Sequence, residues 1–176
     1  MEKLFYPIIV ISILINSCTN PTLNKKLATE IITMKYKYPK VLDYDMYCSD
    51  PKYAQKVLNA GLEKKGFVLV QRTQKLKDLG KPLIQFTNAA KPYLLITTQE
   101  DEKYHIQKVK IADETFDEIE TIIFENNSKQ ARVNYSTKIK STVFASLLKS
   151  NLSKKHYTVY FVLTEAGWRI ADKSDI

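Results

Sequence analysis

The amino-acid sequence predicts an α+β fold in which N-terminal helices are followed by a β-ribbon and a mainly antiparallel sheet. Three observations carry this prediction. Apolar residues recur at helical spacing between Leu23 and Leu62. Two runs rich in β-formers, at 67–73 and 83–87, flank a turn that contains glycine. Apolar and polar residues then alternate across 131–139, as in a strand with one face on a core and one face in water.

The first helix is predicted from apolar residues that share one helical face. They are Leu23, Leu27, Ile31 and Met34. We expect this helix to end before Tyr38 and Pro39, because the residue before a proline avoids the helical region. A second helix should begin at Asp50 and Pro51, an N-cap residue followed by proline at the first helical position. Gly66 is the expected stop of that helix.

In the remaining chain, the residue types and their spacing predict strands joined by turns, with one helical stretch at 141–150. After the ribbon, the predicted strands are 104–111, 119–124, 131–139, 157–163 and 168–170. The polar segments 125–128 and 164–167 are short enough to reverse the chain, so an antiparallel arrangement follows.

Length and composition limit the class of protein. The chain has 176 residues, which fits one domain or one domain with a targeting segment. Hydrophobic residues make up 44%, enough to bury a core, and only 4 Gly and 6 Pro argue against a collagen-like or low-complexity chain. Two cysteines exclude a disulfide scaffold.

The N-terminus carries a targeting pattern. Met1 to Lys3 form a weakly basic start, and an apolar run of twelve residues follows at 4–15. As a helix this run would reach about 18 Å, well short of the roughly 30 Å hydrocarbon core, and Pro7 would interrupt it. We therefore expect a secretory signal and no permanent transmembrane span.

The residues Ile15-Asn16-Ser17-Cys18 that close this run resemble the lipobox of bacterial lipoprotein precursors. In that family a branched apolar residue stands at −3, a small residue at −1 and an invariant cysteine at +1. The resemblance implies cleavage between Ser17 and Cys18, attachment of diacylglycerol to the Cys18 thiol and acylation of the new N-terminus by a fatty acid such as palmitate. Several acyl chains anchor a protein stably, whereas a single chain holds it only marginally.

The resemblance also implies an address and a domain organisation. Thr19 stands where aspartate often retains such lipoproteins at the inner membrane, so in a host with two membranes the expected site is the outer membrane, facing the periplasm. We expect a signal peptide at 1–17, a lipidated tether at 18–26 and a single α+β domain at 27–176. A subdivision near 97–103 is left open.

Lipidation of Cys18 would leave Cys48 without a partner in its own chain. No histidine lies near Cys48 in the sequence to stabilise a thiolate. We expect a buried, inert thiol. A nucleophile or an intermolecular bridge is the alternative interpretation.

Candidate chemical groups are few. One cluster holds Asp113, Glu114, Asp117, Glu118 and Glu120. It lacks the alternating ligands and the central glycine of a calcium loop, so a solvated acidic edge is expected and metal binding is the alternative. His105 and His156 have no serine or aspartate beside them in sequence. No phosphate-binding loop, nucleophile elbow or zinc motif is present, and we expect no catalytic residue and no cofactor.

The net positive charge of the chain predicts a diffuse electrostatic attraction to anionic partners. The chain carries 27 basic and 19 acidic residues, a net charge of +8, and only three of the basic residues are arginines. Because arginine forks read guanine bidentately and lysine acts as a point charge, we expect no specific nucleic-acid partner. Lysine pairs at 25–26, 64–65 and 154–155 could meet anionic lipid headgroups. A lysine-coated soluble surface is the alternative.

The sequence therefore favours a non-enzymatic, membrane-anchored envelope lipoprotein whose body binds a protein or an anionic envelope component. An envelope hydrolase or metal-dependent enzyme is one alternative, and a structural subunit of an envelope complex is another.

Overall fold

A computed structural model describes residues 22–148 and 152–175. Within them the α-helices are α1 (Lys25–Tyr36), α2 (Pro51–Asn59) and α3 (Gln99–Lys103). The strands are β1 (Lys40–Tyr47), β2 (Val68–Val70), β3 (Ile84–Phe86), β4 (Ile106–Glu125), β5 (Gln130–Ser141), β6 (Lys155–Thr164) and β7 (Gly167–Ile170). Short 3₁₀ helices lie at Leu76–Asp78, Asn88–Tyr93 and Val143–Leu147. None of the helices in these two ranges is long and apolar enough to span a bilayer.

The strands form two antiparallel sheets. The larger has the order β1-β4-β5-β6-β7, and the smaller is the ribbon of β2 and β3. Val133 on β5 lies opposite Ile122 on β4 and Val159 on β6. The pairs β4–β5, β5–β6 and β6–β7 join strands that follow one another in the chain, and only β1 pairs with a strand that is distant in sequence, so most of the sheet is built from sequential pairs.

Two clusters of buried apolar side chains hold the body together. The ribbon-side core packs α2, the ribbon and the 3₁₀ helix at Val143–Leu147 against the first half of β4. The helix-side core packs α1 against β5, β6, β7 and the second half of β4. Full burial of each large apolar side chain contributes about 1.5–3 kcal/mol, so these two clusters supply most of the favourable free energy.

Helix α1 begins inside the segment predicted as a tether. Asn24 is its N-cap and accepts a hydrogen bond from the backbone N–H of Leu27. Leu23 is buried in the helix-side core, so the folded body starts before residue 27. The predicted apolar face is correct for Leu23 and wrong for Met34, which is 79% exposed at the end of the helix.

Helix α2 begins as predicted and ends early. The Asp50 side chain accepts a hydrogen bond from the N–H of Lys52, with Pro51 at the first helical position. The helix ends at Asn59 because Gly61, with a φ of 69°, turns the chain out of the helical region. The chain reaches Gly66 through further turns.

The α+β class and the mainly antiparallel sheet are confirmed, as are the ribbon and strands β5, β6 and β7. A block of N-terminal helices before the sheet is not supported: the helices are few, and β1 lies between α1 and α2 and pairs with β4. Strand β1 was missed although its residues alternate: Leu42, Tyr44 and Met46 pack on the ribbon-side core, whereas Lys108 forms ion pairs with Asp43 and Asp45.

Strand β4 corrects a second prediction. Residues 106–111 of the first predicted strand and the whole of 119–124 belong to one 20-residue strand that continues through the acidic cluster. Register shifts between Phe116 and Glu118, and between Ile119 and Thr121, accommodate its bending. The segment 97–103, where a subdivision was left open, contains α3 with Thr98 and Asp101 as a capping box.

Candidate functional site: a lysine groove backed by a buried glutamate

The central pair of strands presents a groove on its outer face. Asp113 lies opposite Lys140, and Thr115 lies opposite Lys138, across the β4–β5 ladder. Because side chains on a strand alternate between faces, these four residues lie on one side of the sheet. The groove is open, with a volume of about 810 Å³. It is lined by Pro39, Asp113, Thr115, Lys138, Ile139, Lys140 and Lys154.

Ion pairs position two of the three lysines in this groove. Lys138 and Lys154 both contact the carboxylate of Asp117, with Lys154 Nζ at 2.9 Å from its Oδ2. Hydrogen bonds from these two ammonium groups hold the pKa of Asp117 below its usual range. Asp113 is engaged separately by Lys110, whose Nζ lies 2.6 Å from Oδ1.

Lys140 is the lysine of the groove that remains available. Its side chain is exposed, and it forms no ion pair with any residue in the ranges 22–148 and 152–175. Three ammonium groups around an open groove, one of them without a carboxylate, can receive a phosphate or carboxylate ligand. The apolar stems of the lysines, with Pro39 and Ile139, supply its walls.

A buried carboxylate lies behind the groove, on the opposite face of β4. Glu114 is only 3% exposed. Its Oε1 accepts hydrogen bonds from Tyr157 Oη at 2.7 Å and Thr137 Oγ1 at 2.8 Å, and Lys155 Nζ lies 3.5 Å from Oε2. Neighbouring strands β5 and β6 therefore complete the partners of this carboxylate.

The protonation state of Glu114 follows from two opposing effects. Burial alone would raise its pKa, because desolvation disfavours the charged form. Hydrogen bonds from Tyr157 and Thr137, with the charge of Lys155, outweigh burial and leave the pKa of Glu114 below its ordinary value. Burial and the adjacent carboxylate raise the pKa of Tyr157, which stays protonated and donates.

An aromatic cluster covers this carboxylate. Tyr135 stacks on Phe116 and on Tyr157, with ring centroids 5.8 and 5.2 Å apart. Tyr36 and Tyr38 pack against the same ring. Burial, together with the Tyr38 hydroxyl, raises the pKa of Tyr135. Tyr135 belongs to the helix-side core, and Tyr36, Tyr38 and Tyr157 pack against that core, so these tyrosines act as packing residues beneath the groove.

The predicted lipidation site, Cys18, and the cleavage junction of Ser17 and Cys18 lie outside the described residues. Cys48 lies inside them and is buried and free, as predicted. Burial raises the pKa of its thiol to about 11, because the thiolate is disfavoured away from water. An unactivated thiol of this kind is not a nucleophile at neutral pH.

Both histidines have partners that their sequence neighbours do not reveal. Ser49 Oγ lies 2.8 Å from His105 Nδ1, although 56 residues separate them. His105 has a φ of 53°, which is unusual for a residue other than glycine. His156 Nδ1 lies 2.7 Å from Glu120 Oε1. Sequence neighbours alone therefore could not reveal the contact between Ser49 and His105.

The acidic cluster is a strand and not a loop. Its members alternate between faces: Asp117 turns to the groove lysines, whereas Glu114 is buried on the other side. The prediction of a wholly solvated edge is wrong for Glu114. Nowhere in the described ranges do three or more potential metal ligands come together.

The groove itself was not predicted. Lys138 and Lys140 occupy the polar phase of the alternation in β5, which indicates a shared face, but the partner strand and the loop residue Lys154 could be placed only by the fold. The sequence signal that could have found them is the i, i+2 spacing of the two lysines.

Comparisons with known protein families, characterised proteins and solved structures return no match for this chain. The functional argument therefore depends on the geometry described above.

Proposed function

We propose that this protein is a non-enzymatic lipoprotein of the cell envelope, anchored through Cys18, whose body binds an anionic envelope component in the lysine groove. In a host with two membranes, Thr19 in place of a retaining aspartate favours the outer membrane, facing the periplasm. The N-terminal pattern ending in Ser17 and Cys18 supports the anchor. The groove of Lys138, Lys140 and Lys154 supports the ligand class.

The segment between the proposed anchor at Cys18 and the folded body is short. Leu23 is already buried, so five peptide units join it to Cys18. Five residues span at most about 18 Å, which would keep the body close to the bilayer surface. A ligand of the envelope is therefore the expected occupant of an exposed groove.

The observation that carries the ligand class is the available ammonium group of Lys140 beside two lysines already fixed by Asp117. The side chains of Lys138 and Lys154, already held by Asp117, would lose little conformational freedom when a ligand binds. The unpaired ammonium group of Lys140 would supply the attraction. Phosphate and carboxylate groups both satisfy this geometry.

The anchor is tested by metabolic labelling with a fatty acid and by detergent partitioning. Cys18→Ala should abolish both the label and the membrane partitioning. Cys48→Ala is the matched control, because it removes the other thiol and should leave both unchanged. Full partitioning of Cys18→Ala with a correctly processed N-terminus would reject the anchor.

The groove is tested by calorimetric titration with two soluble probes, glycerol phosphate and an oligoglutamate peptide. Lys140→Glu should weaken binding about 10- to 30-fold, since reversing one charge near the surface changes the interaction by about 2 kcal/mol. Lys129→Glu, an exposed lysine in the turn at the far end of the β4–β5 hairpin, is the control. Equal effects of the two reversals, or no binding of either probe, would reject the groove.

One observation favours an enzymatic alternative. The pair of Ser49 and His105, 2.8 Å apart, is compatible with a serine nucleophile and its base. Against it, no carboxylate in the described part of the chain hydrogen-bonds to His105 to orient the ring. Labelling with a fluorophosphonate probe, lost in Ser49→Ala, would establish the hydrolase, and titration with Ca²⁺ and Zn²⁺ tests the metal-dependent version.

A further inference from the structure

The loop between the two ribbon strands has an apolar tip. Leu76 is 85% exposed and Leu79 is 65% exposed. Both are large aliphatic side chains, and the 3₁₀ helix Leu76–Asp78 places residues three apart on the same side. The tip therefore presents two adjacent leucines to solvent on one side of the loop.

The loop is held in this conformation by its own bonds. Gln74 Nε2 donates to the carbonyl oxygen of Lys81 at 3.0 Å, closing the base. Lys81 Nζ lies 2.7 Å from Asp78 Oδ1, and the N–H of Asp78 donates to the carbonyl oxygen of Lys75. Gly80 turns the chain back with a φ of 86°. These bonds hold the loop in a conformation in which the side chains of Leu76 and Leu79 point to solvent.

The loop tip carries a net positive charge. Lys75 and Lys77 flank Leu76, are exposed, and form no ion pair with any residue in 22–148 or 152–175. Lys81 is neutralised by Asp78, so the net charge at the tip is +2 from Lys75 and Lys77. Exposed leucines next to two unpaired lysines match the surface of an anionic bilayer, where the leucines enter the acyl boundary and the lysines meet headgroups.

We infer that the ribbon loop, residues 74–81, inserts Leu76 and Leu79 into the interface of a membrane containing anionic lipid. The charge pattern selects this occupant over a second copy of the chain, because two loops that each carry +2 would repel one another. The inference does not rest on the lysine groove or on lipidation of Cys18; it adds a second contact between the body and a bilayer.

Depth-dependent fluorescence quenching tests the loop in the full chain bound to vesicles. Leu76→Trp reports the tip, and Ile96→Trp is the matched control, an aliphatic residue that is 96% exposed elsewhere on the body. The unsubstituted chain, whose one tryptophan is the buried Trp168, gives the background signal. Sedimentation with the vesicles measures total binding separately, so failure of the anchor and failure of the loop are distinguishable.

With vesicles of phosphatidylglycerol and brominated phosphatidylcholine, Leu76→Trp should be quenched and its emission shifted to the blue, whereas Ile96→Trp should stay unquenched. Adding Lys75→Gln and Lys77→Gln should lower the equilibrium constant for insertion about 30-fold, since each lysine near an anionic surface contributes about fivefold.

Three results would overturn the inference. The first is equal quenching at the two positions in vesicle-bound chain. The second is undiminished quenching at position 76 on purely zwitterionic vesicles. The third is a blue shift without lipid that grows with protein concentration, which would assign the tip to self-association.

Discussion

The hydrogen bond from Tyr157 to the buried carboxylate of Glu114 gives the sharpest test of the fold. Replacing Tyr157 with phenylalanine keeps the ring and its stacking on Tyr135 and removes one donor at 2.7 Å. Hydrogen bonds to charged groups contribute about 1.5–3 kcal/mol. Because Thr137 and Lys155 still contact the carboxylate, we expect a loss of about 2 kcal/mol in the free energy of unfolding at neutral pH.

The measurement is urea unfolding followed by the emission of Trp168, the single tryptophan of the chain. A loss of this size corresponds to a fall of about 4–8 °C in Tm for a body of this length. Tyr160→Phe, which removes an exposed hydroxyl from the same strand, is the control and should be neutral. A Tyr157→Phe variant as stable as the parent, or Tyr160→Phe equally destabilised, would refute the account of Glu114.

Three further outcomes are expected. Since the folded pKa of Glu114 lies below its unfolded value, its contribution is complete at neutral pH and is lost on acidification; urea titrations between about pH 5 and pH 3 should show the parent losing more stability than Glu114→Gln. Phe144→Ala empties a fully buried site and should cost about 3–5 kcal/mol, whereas exposed Phe124→Ala should cost far less, both measured by urea unfolding. In a Cys18→Ala chain, Cys48 should resist thiol reagents at neutral pH until the protein is unfolded, because burial raises its pKa to about 11.

Local sequence patterns predicted the elements whose residues carry a cap or a regular alternation. Asp50 and Pro51 predict the start of α2, and strict alternation predicts β5, because a strand with one wet face repeats every two residues. The middle of β4 was missed because five acids in eight residues resemble a solvated loop. The lysine partners of Asp117 and Glu114 are distant in sequence and are supplied by β5, the segment before β6 and the start of β6.

Contacts between candidate functional residues that are distant in sequence could not be predicted either. Ser49 and His105 meet only because β1 pairs with the start of β4, a contact that no spacing in the sequence announces. The exposure of Leu76 was equally hidden, since an apolar residue in a turn is expected to fold back onto the body. The targeting pattern that ends in Cys18 stays a prediction, because it is a matter of covalent processing and lies outside the described residues.

The long strand β4 has a mechanical consequence. It contributes Val109 and Ile111 to the ribbon-side core and Ile119 to the helix-side core. Because one strand contributes side chains to both cores, we expect the two cores to unfold together. A ligand in the groove would contact β4 near its midpoint, at Asp113 and Thr115. We expect such a ligand to slow amide exchange in both the ribbon-side core and the helix-side core.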